Sequence, residues 1–226
     1  MGTKYNPRIV TDGLSVYVDA ANPRSYPGTG NTWYNLVTGA IGGTMVGVGI
    51  SSTFNGSFNF NGNAYMTFNT LPLVAQSTYS STVEVFSFRR NIGGFEVIFG
   101  GDTGNSTQAF YFGHRQNSSN LMMAYWANDL DATTPTTNIA WNHYAATYDV
   151  GVGKRTTYFN GNVLANQASG VVNSSSNKFM LGAFSSNGSP NYQFNGLISF
   201  FKIYNRALTA SEILQNYNAT KRRFGL

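Results

Sequence analysis

Carboxylates and imidazoles are the side chains that could carry acid–base chemistry here, and the chain has few of them. It contains three glutamates, Glu84, Glu96 and Glu212, and two histidines, His114 and His143. Two carboxylates about 5–5.5 Å apart can cleave a glycosidic bond with retention. Glu84 and Glu96 can face each other across adjacent predicted strands, but a surface or locally paired position is favoured for both. The histidines are far apart and match no catalytic motif, so we predict no enzymatic activity.

Glu212 has a structural explanation in the sequence. Thr209 precedes it by three positions, which is the spacing of a capping box. Ile213, Leu214 and Tyr217 then follow at helical spacing. The pattern predicts one short amphipathic helix near the C-terminus.

Aromatic side chains next to amides and carboxylates form a second set of candidates, because such groups can bind a sugar. A flat ring offers an apolar face, and a few polar groups fix the ligand's orientation. Three loop groups have this character: Trp33 with Tyr34; Trp126 with Asn128 and Asp129; and Tyr192 with Asn191. For each group, ordinary packing in the core is the alternative interpretation.

Short strands are the elements that would position these groups. Apolar and β-branched runs separated by turn residues occupy 14–19, 57–60, 65–68, 82–89, 95–100, 109–115, 121–126, 141–149, 156–160, 163–165, 179–184 and 197–204. Asn61-Gly62 and Asn160-Gly161 predict hairpin turns, and Asn195-Gly196 predicts a tight turn. No long helical pattern interrupts the series, so the sequence predicts an all-β sandwich.

Composition limits the classes of protein and partner. The 226 residues suit one β-sandwich domain of about 200–250 residues. There are no cysteines, which excludes disulfides and thiolate metal sites. We expect no signal peptide at MGTKYNPRIV, no membrane span and no membrane partner. The net charge is +5, but the clusters Lys221-Arg222-Arg223 and Arg89-Arg90 are short, so no nucleic-acid partner is expected.

Three segments together resemble laminin-G-like domains of the concanavalin A-like superfamily. They are DGLSVYVDAANPRSYPGTGNTWYNL at 12–36, WNHYAATYDVGVGKRTTYFNGN at 141–162 and FNGLISFFKIYNRALTASEILQNY at 194–217. The first looks like the opening of laminin-G-like proteins found in tailed bacteriophages. The resemblance implies a concanavalin A-like β-sandwich, a jelly roll of two antiparallel sheets with one short C-terminal helix, spanning 1–226 as a single domain. It also implies that Trp141 is a core residue and His143 a structural one.

The chain departs from the functional motifs of this superfamily. The Glu-x-Asp-x-x-Glu strand motif of laminarinase-type relatives is absent. In the stretches that are acidic in calcium-binding relatives, this chain has Asn35, Asn61, Asn63 and Ala64. Asp129 and Asp131, predicted to lie in a loop, are the best remaining pair for a hard cation, which needs several oxygen ligands. A solvated loop is the favoured interpretation, so we expect no metal ion and no cofactor.

The resemblance to virion proteins suggests a function. It implies a non-enzymatic structural protein on the surface of a tailed-bacteriophage particle, as a capsid decoration or a tail or fibre component. Such a protein would be assembled in the host cytoplasm, released by lysis and located in the virion. Its partners would be other virion proteins in a homo-oligomer or lattice.

The two ends of the chain are the predicted assembly contacts. An N-terminal arm at 1–11 and a basic tail at 219–226 would be dispensable for folding and free to bind another subunit. The candidate residues are Tyr5, Arg8, Lys221, Arg222, Arg223 and Phe224. The alternative function is a lectin-like host-adhesion module that binds a surface glycan. A glycoside hydrolase would require a cleft with paired carboxylates.

Overall fold

The computed structural model describes residues 7–52, 56–69, 78–90, 93–102, 109–125, 128–135, 140–168 and 178–226. The elements in chain order are β1 (Leu14–Asp19), β2 (Thr32–Tyr34), β3 (Ile41–Val46), β4 (Gly49–Ser51), β5 (Ser57–Asn61), β6 (Tyr65–Thr67), β7 (Ser81–Arg89), β8 (Glu96–Asp102), β9 (Phe110–His114), β10 (Asn120–Ala124), β11 (Asp129–Thr133), β12 (Trp141–Asp149), β13 (Lys154–Phe159), β14 (Asn162–Ala168), β15 (Met180–Leu181), β16 (Phe184–Ser186), β17 (Ser189–Asn191), β18 (Asn195–Tyr204) and the helix α1 (Ala210–Thr220). A 3-10 turn, Lys221–Phe224, follows the helix.

The strands form two sheets packed face to face, as predicted. Sheet I has the order β14-β13-β12-β7-β18-β5-β4, and β1 also pairs with β18. Sheet II has the order β11-β10-β9-β8-β15-β6-β3-β2, and β16 and β17 extend it beside β8. Among the described strands pairing is antiparallel, except that β16 runs parallel to the end of β8. An isolated parallel bridge also joins Val97 to Gln193. The architecture is the predicted concanavalin A-like sandwich.

Residue alternation divides each central strand between two environments. On β7 of sheet I, Val83 and Val85 belong to the core between the sheets. Phe86 instead belongs to a separate cluster with Trp141 and Phe224. Because successive side chains on a strand point to opposite faces, the second cluster lies on the outer face of sheet I. Trp141 is therefore buried as predicted, but outside the inter-sheet core.

The helix α1 covers part of this outer face. Its capping box is formed as predicted: the Thr209 hydroxyl accepts from the Glu212 amide at 3.3 Å, and the Glu212 carboxylate accepts from the Thr209 amide at 2.8 Å. Ile213 is fully buried and packs with Tyr204 and Tyr158 of sheet I. The helix thus hides an apolar sheet face that would otherwise be exposed.

Both ends of the described chain pack against this same domain, which contradicts the prediction that they are free. Val10 is buried with the helix cluster, and its amide donates to Asn216 at 2.7 Å. The Phe224 ring stacks on Phe86 at 3.8 Å, and Arg223 pairs with Asp19 at 2.8 Å. These groups complete the outer face of sheet I, so Arg223 and Phe224 are structural residues.

The other predicted assembly residues have different positions. The Lys221 ammonium lies 5.0 Å from the Tyr217 ring centre. Arg222 and Arg8 are exposed, and the Arg8 carbonyl accepts from Gln215 of α1 at 2.7 Å. Tyr5 lies outside the described residues. The assembly role of the exposed Arg8 and Arg222 stays a prediction.

Two of the three Asn-Gly predictions need correction. Asn160-Gly161 does form the β13–β14 turn, with φ of 48° and 80°, as in a two-residue hairpin. Asn61-Gly62 instead crosses from β5 in sheet I to β6 in sheet II. Asn195-Gly196 begins β18. A Cβ on Gly196 would lie 2.2 Å from the Phe88 carbonyl oxygen, so close backbone packing requires the glycine.

Several strands were missed, namely β2, β3, β4, β11 and β17, and the sequences of β3 and β11 look like loops. β3 contains Gly42-Gly43, and a Cβ at Gly42 would lie 2.1 Å from the Trp33 ring. β11 contains Asp129 and Asp131, which were predicted to lie in a loop. Local propensity disfavours both residue types in strands, and here packing and pairing outweigh it.

Candidate functional site

A pocket of about 370 Å³ opens on the outer face of sheet II, away from the helix. It is lined by Phe95, Tyr111, Arg115, Gln116, Met122, Ala124, Asp129 and Tyr192. This volume is at the lower end of the range of about 300–1,000 Å³ for small-molecule sites. The lining mixes aromatic rings with charged and amide groups, which is the composition of a binding site for a polar ligand.

Strand register builds the floor of the pocket. Tyr111 of β9 is paired with Ala124 of β10, and Ala124 is paired with Asp129 of β11. The neighbouring Phe112 and Met123 lie in the core between the sheets. Since alternate residues face opposite sides, the row Tyr111, Ala124 and Asp129 faces outward. The small Ala124 leaves room between the ring and the carboxylate.

Tyr192 forms an aromatic wall of the pocket. Its backbone has φ of +50°, a left-handed conformation that is uncommon for a non-glycine residue. The Val97 amide donates to the Tyr192 carbonyl at 2.8 Å. The Tyr192 ring lies edge-on to Phe95 at 4.8 Å and remains 50% exposed. A tyrosine held in a strained conformation with an exposed ring fits a functional position.

Arg115 is the central charged group. Its Nε donates to Asp131 at 2.9 Å, and its Nη2 donates to Asp129. The guanidinium carbon lies 5.6 Å from the Phe95 ring centre. Burial alone would lower the pKa of Arg115, but the hydrogen bonds that it donates to Asp131 and Asp129 outweigh this effect and raise its pKa. One cation therefore bridges two carboxylates at the edge of the pocket.

Arg155 holds the turn that precedes Asp129. This arginine comes from β13 of sheet I and is fully buried. It donates to the Asn128 backbone carbonyl at 2.7 Å and to the Asn128 side-chain oxygen at 2.8 Å. Its guanidinium lies 5.4 Å from the Tyr125 ring centre. The predicted ligand Asn128 thus has a structural role, and it fixes where β11 begins.

The structure brings together two of the three predicted sugar-binding groups. Asp129 and Tyr192, which are remote in sequence, line the same pocket. Trp126 of the Asp129 group lies outside the described residues. The Trp33 prediction is wrong: its side chain is 1% exposed, and its indole N–H donates to the Thr67 carbonyl at 3.0 Å. Tyr34 lies on β2, at the opposite edge of sheet II from β11.

Sequence reasoning missed several pocket residues, namely Phe95, Tyr111, Arg115 and Gln116. The alternation of side chains along Phe110–His114 could have identified Tyr111. It places Tyr111 on the opposite face of the strand from Phe110 and Phe112. The contact of Arg115 with the two aspartates had no local signal. It depends on β9 and β11 flanking β10 in the sheet.

Glu84 and Glu96 do not face each other, because β7 belongs to sheet I and β8 to sheet II. Glu84 is 0% exposed, not on the surface. It lies 2.8 Å from Lys202 and 3.1 Å from His143. Burial acts to raise the pKa of Glu84, but Lys202 and His143 together lower it to about 2. The local pairing is as predicted, and His143 has a structural contact.

Glu96 is held in a separate pair at the end of the sandwich. Its carboxylate accepts from Arg89 at 2.5 Å and from the Asn195 amide at 3.1 Å. Burial raises the pKa of Glu96, and the Arg89 interaction opposes that rise only in part. The nearby His114 is buried, which lowers its pKa to about 3. The described glutamates therefore form no carboxylate pair of the kind used in retaining hydrolysis.

Within the described ranges, no group of three or more His, Cys, Asp or Glu side chains could hold a metal ion. Asp129 and Asp131 lie on β11 and are bound to Arg115, which competes with any cation for their oxygens. The part of the chain that the structure describes contains no helix long and apolar enough to cross a membrane.

The sequence also matches a known protein family. Residues 60–214, more than half of the chain, match the laminin G-type family described as the concanavalin A-like lectin/glucanases superfamily. The chain belongs to this family. A comparison with curated proteins gave no match.

Solved structures with similar folds include three from carbohydrate-active proteins. Domain 4 of AbnA, an extracellular GH43 arabinanase from Geobacillus stearothermophilus, has 19% identity and a TM-score of 0.65 over 90% of this chain and 98% of that one. The Ruminococcus gnavus IT-sialidase CBM40 has 18% identity and a TM-score of 0.53 over 61% and 82%. The Trypanosoma rangeli sialidase has 17% identity and a TM-score of 0.66 over 95% of this chain and 34% of the sialidase chain. At these identities the likeness establishes the fold alone.

Proposed function

We propose that this protein is a lectin-like carbohydrate-binding module and that the pocket on sheet II is its glycan site. The observation that carries the proposal is the half-exposed Tyr192 ring standing beside Asp129 and Arg115 in one small pocket. The similar folds give support of a weaker kind. The arabinanase domain was solved in complex with arabinotriose, and the CBM40 was solved bound to α2,3-sialyllactose.

The pocket geometry suits a sugar in two ways. The apolar face of a sugar ring can pack on the exposed Tyr192 ring, whose position Phe95 supports from the side. The hydroxyl groups can then hydrogen-bond to Asp129, Arg115 and Gln116 at the rim. A few fixed polar groups around an apolar surface are typical of sites that orient a small polar ligand.

Binding without catalysis is part of the proposal. Asp129, the carboxylate that lines the pocket, is bound to Arg115. An oxygen of this carboxylate already accepts a hydrogen bond from Nη2 of Arg115. We propose that the protein binds glycans and releases no reducing sugar from them.

Location on the surface of a tailed-bacteriophage particle remains a prediction from the resemblance of residues 12–36. The packed C-terminal tail removes Arg223 and Phe224 from the predicted attachment device. In a virion, the pocket on sheet II would provide a host-adhesion surface. The helix face of sheet I and the exposed Arg8 and Arg222 would then remain for contacts with other virion proteins.

A glycan array followed by calorimetry tests the proposed site. Tyr192→Ala should weaken binding of the best array ligand by about tenfold or more, equivalent to roughly 1.4 kcal/mol. Tyr79→Ala is the matched control, because Tyr79 is 47% exposed and does not line the pocket. It should bind like the wild type. If the wild type binds no glycan, or if Tyr192→Ala binds normally, the proposed site is wrong.

A further inference from the structure

We infer that the pocket selects uncharged, hydroxyl-rich sugars and rejects acidic ones, and that the Arg115–Asp129–Asp131 cluster makes this selection. This inference rests on the proposed glycan-binding function and specifies its ligand class. The fold leaves the class open, because the similar structures include one with arabinotriose, which is neutral, and one with sialyllactose, which is acidic.

Two nitrogens of Arg115 already donate to internal carboxylates. An acidic sugar is usually held by a guanidinium that offers two parallel N–H donors to the ligand carboxylate. Here Nε of Arg115 donates to both oxygens of Asp131, at 2.9 and 3.0 Å, and Nη2 donates to Asp129. A ligand carboxylate would therefore have to displace an internal carboxylate to use the Nε–Nη2 edge of this guanidinium.

The charges of this cluster disfavour an acidic ligand. Asp129 and Asp131 carry two negative charges against the single positive charge of Arg115. Arg155 is the other nearby cation, but it is buried on the far side of the turn and donates to Asn128. The other lining residues that the structure describes are uncharged. An acidic ligand would thus approach two like charges, which disfavours its binding.

The two aspartates of the cluster keep part of their hydrogen-bonding capacity. A carboxylate has about four lone-pair positions and no donor. The side chains of Asp129 and Asp131 are 32% and 35% exposed, so part of this acceptor capacity faces solvent. Sugar hydroxyl groups in the pocket can donate to the oxygens of Asp129, whereas a second carboxylate cannot. The rim therefore presents acceptors that match a neutral polyol.

A glycan array that pairs each neutral glycan with its acidic form tests the selection directly. Lactose with 3′-sialyllactose, and arabinotriose with an oligogalacturonate, are suitable probes. The wild type should bind neutral members and bind the acidic partner about tenfold more weakly or not at all. Equal or stronger binding of the acidic partners overturns the inference while leaving glycan binding intact. Binding of no probe on the full array overturns both the proposed function and the inference.

The variant Asp131→Asn tests whether the negative charge of Asp131 contributes to the rejection of acidic sugars. Asp131 contacts Arg115 but is not among the pocket-lining residues, and its exposure makes a folding defect unexpected. The variant should improve binding of acidic probes about tenfold, and this gain should shrink as added salt shortens the Debye length below about 10 Å. Asp149→Asn, on sheet I, makes the same change of net charge away from the pocket and should leave the preference unchanged. An Asp131→Asn protein with the wild-type preference would contradict the inference.

Discussion

Replacing Phe224 by alanine should destabilise the protein strongly, because its ring is part of the outer core of sheet I. The ring is 5% exposed, stacks on Phe86 at 3.8 Å and lies 4.8 Å from Trp141. A buried Phe→Ala change costs about 3–5 kcal/mol. The site lies on the outer face of a sheet, where part of the cavity can collapse, so we expect about 3 kcal/mol, at the lower end of that range.

Urea unfolding followed by tryptophan fluorescence measures this loss. With an m-value of about 2–3 kcal/mol per M, the midpoint should fall by about 1–1.5 M. Leu226→Ala is the matched control, since Leu226 is 48% exposed beside the same turn, and its midpoint should change little. Deleting 220–226 should destabilise at least as much as Phe224→Ala. A midpoint for Phe224→Ala within about 0.3 M of the wild type would refute this reasoning and restore the tail as a free segment.

Two further predictions concern the buried network and the metal question. Glu84→Gln should cost about 3–5 kcal/mol, because it leaves Lys202 buried without its carboxylate. The folded-state pKa of Glu84 is about 2, below its ordinary 4.5. Its contribution is therefore present above about pH 4.5 and is lost as the pH falls towards 2. Urea midpoints across that range should converge between Glu84→Gln and wild type; a constant gap would contradict the assignment. Adding calcium or a chelator should leave Tm nearly unchanged, because Asp129 and Asp131 already bind Arg115. A true calcium site, with calcium at a hundredfold excess over Kd, would raise the free energy of unfolding by roughly 2.7 kcal/mol and so contradict this prediction.

Local signals in the sequence were sufficient for much of the fold. β1 and β12 lie at the predicted residues, and the capping box of α1 forms as its spacing predicts. The Asn160-Gly161 turn also forms as predicted. These features depend on contacts between near neighbours, so a short window of sequence contains the information. The resemblance to the family then predicted how these strands are arranged in a sandwich.

The candidate site could be predicted only in pieces. Asp129 and Tyr192 were chosen for their residue types, while Trp33 was chosen on the same grounds and is a core residue. Composition cannot separate the two cases, because an aromatic ring suits a core and a binding surface equally well. The distinction depends on which face of which sheet a strand presents.

The sequence by itself determined many of the longer strand segments, the capped helix α1 and the absence of cysteine. Only the tertiary structure decided that Asn61-Gly62 crosses between sheets, that Glu84 is buried beside Lys202, and that Phe224 packs on Phe86. The tertiary structure also decided that Tyr192, Phe95 and Asp129 line one pocket. These contacts join segments that are remote in the chain, and their energies depend on burial and charge pairing that exist only after the two sheets have packed.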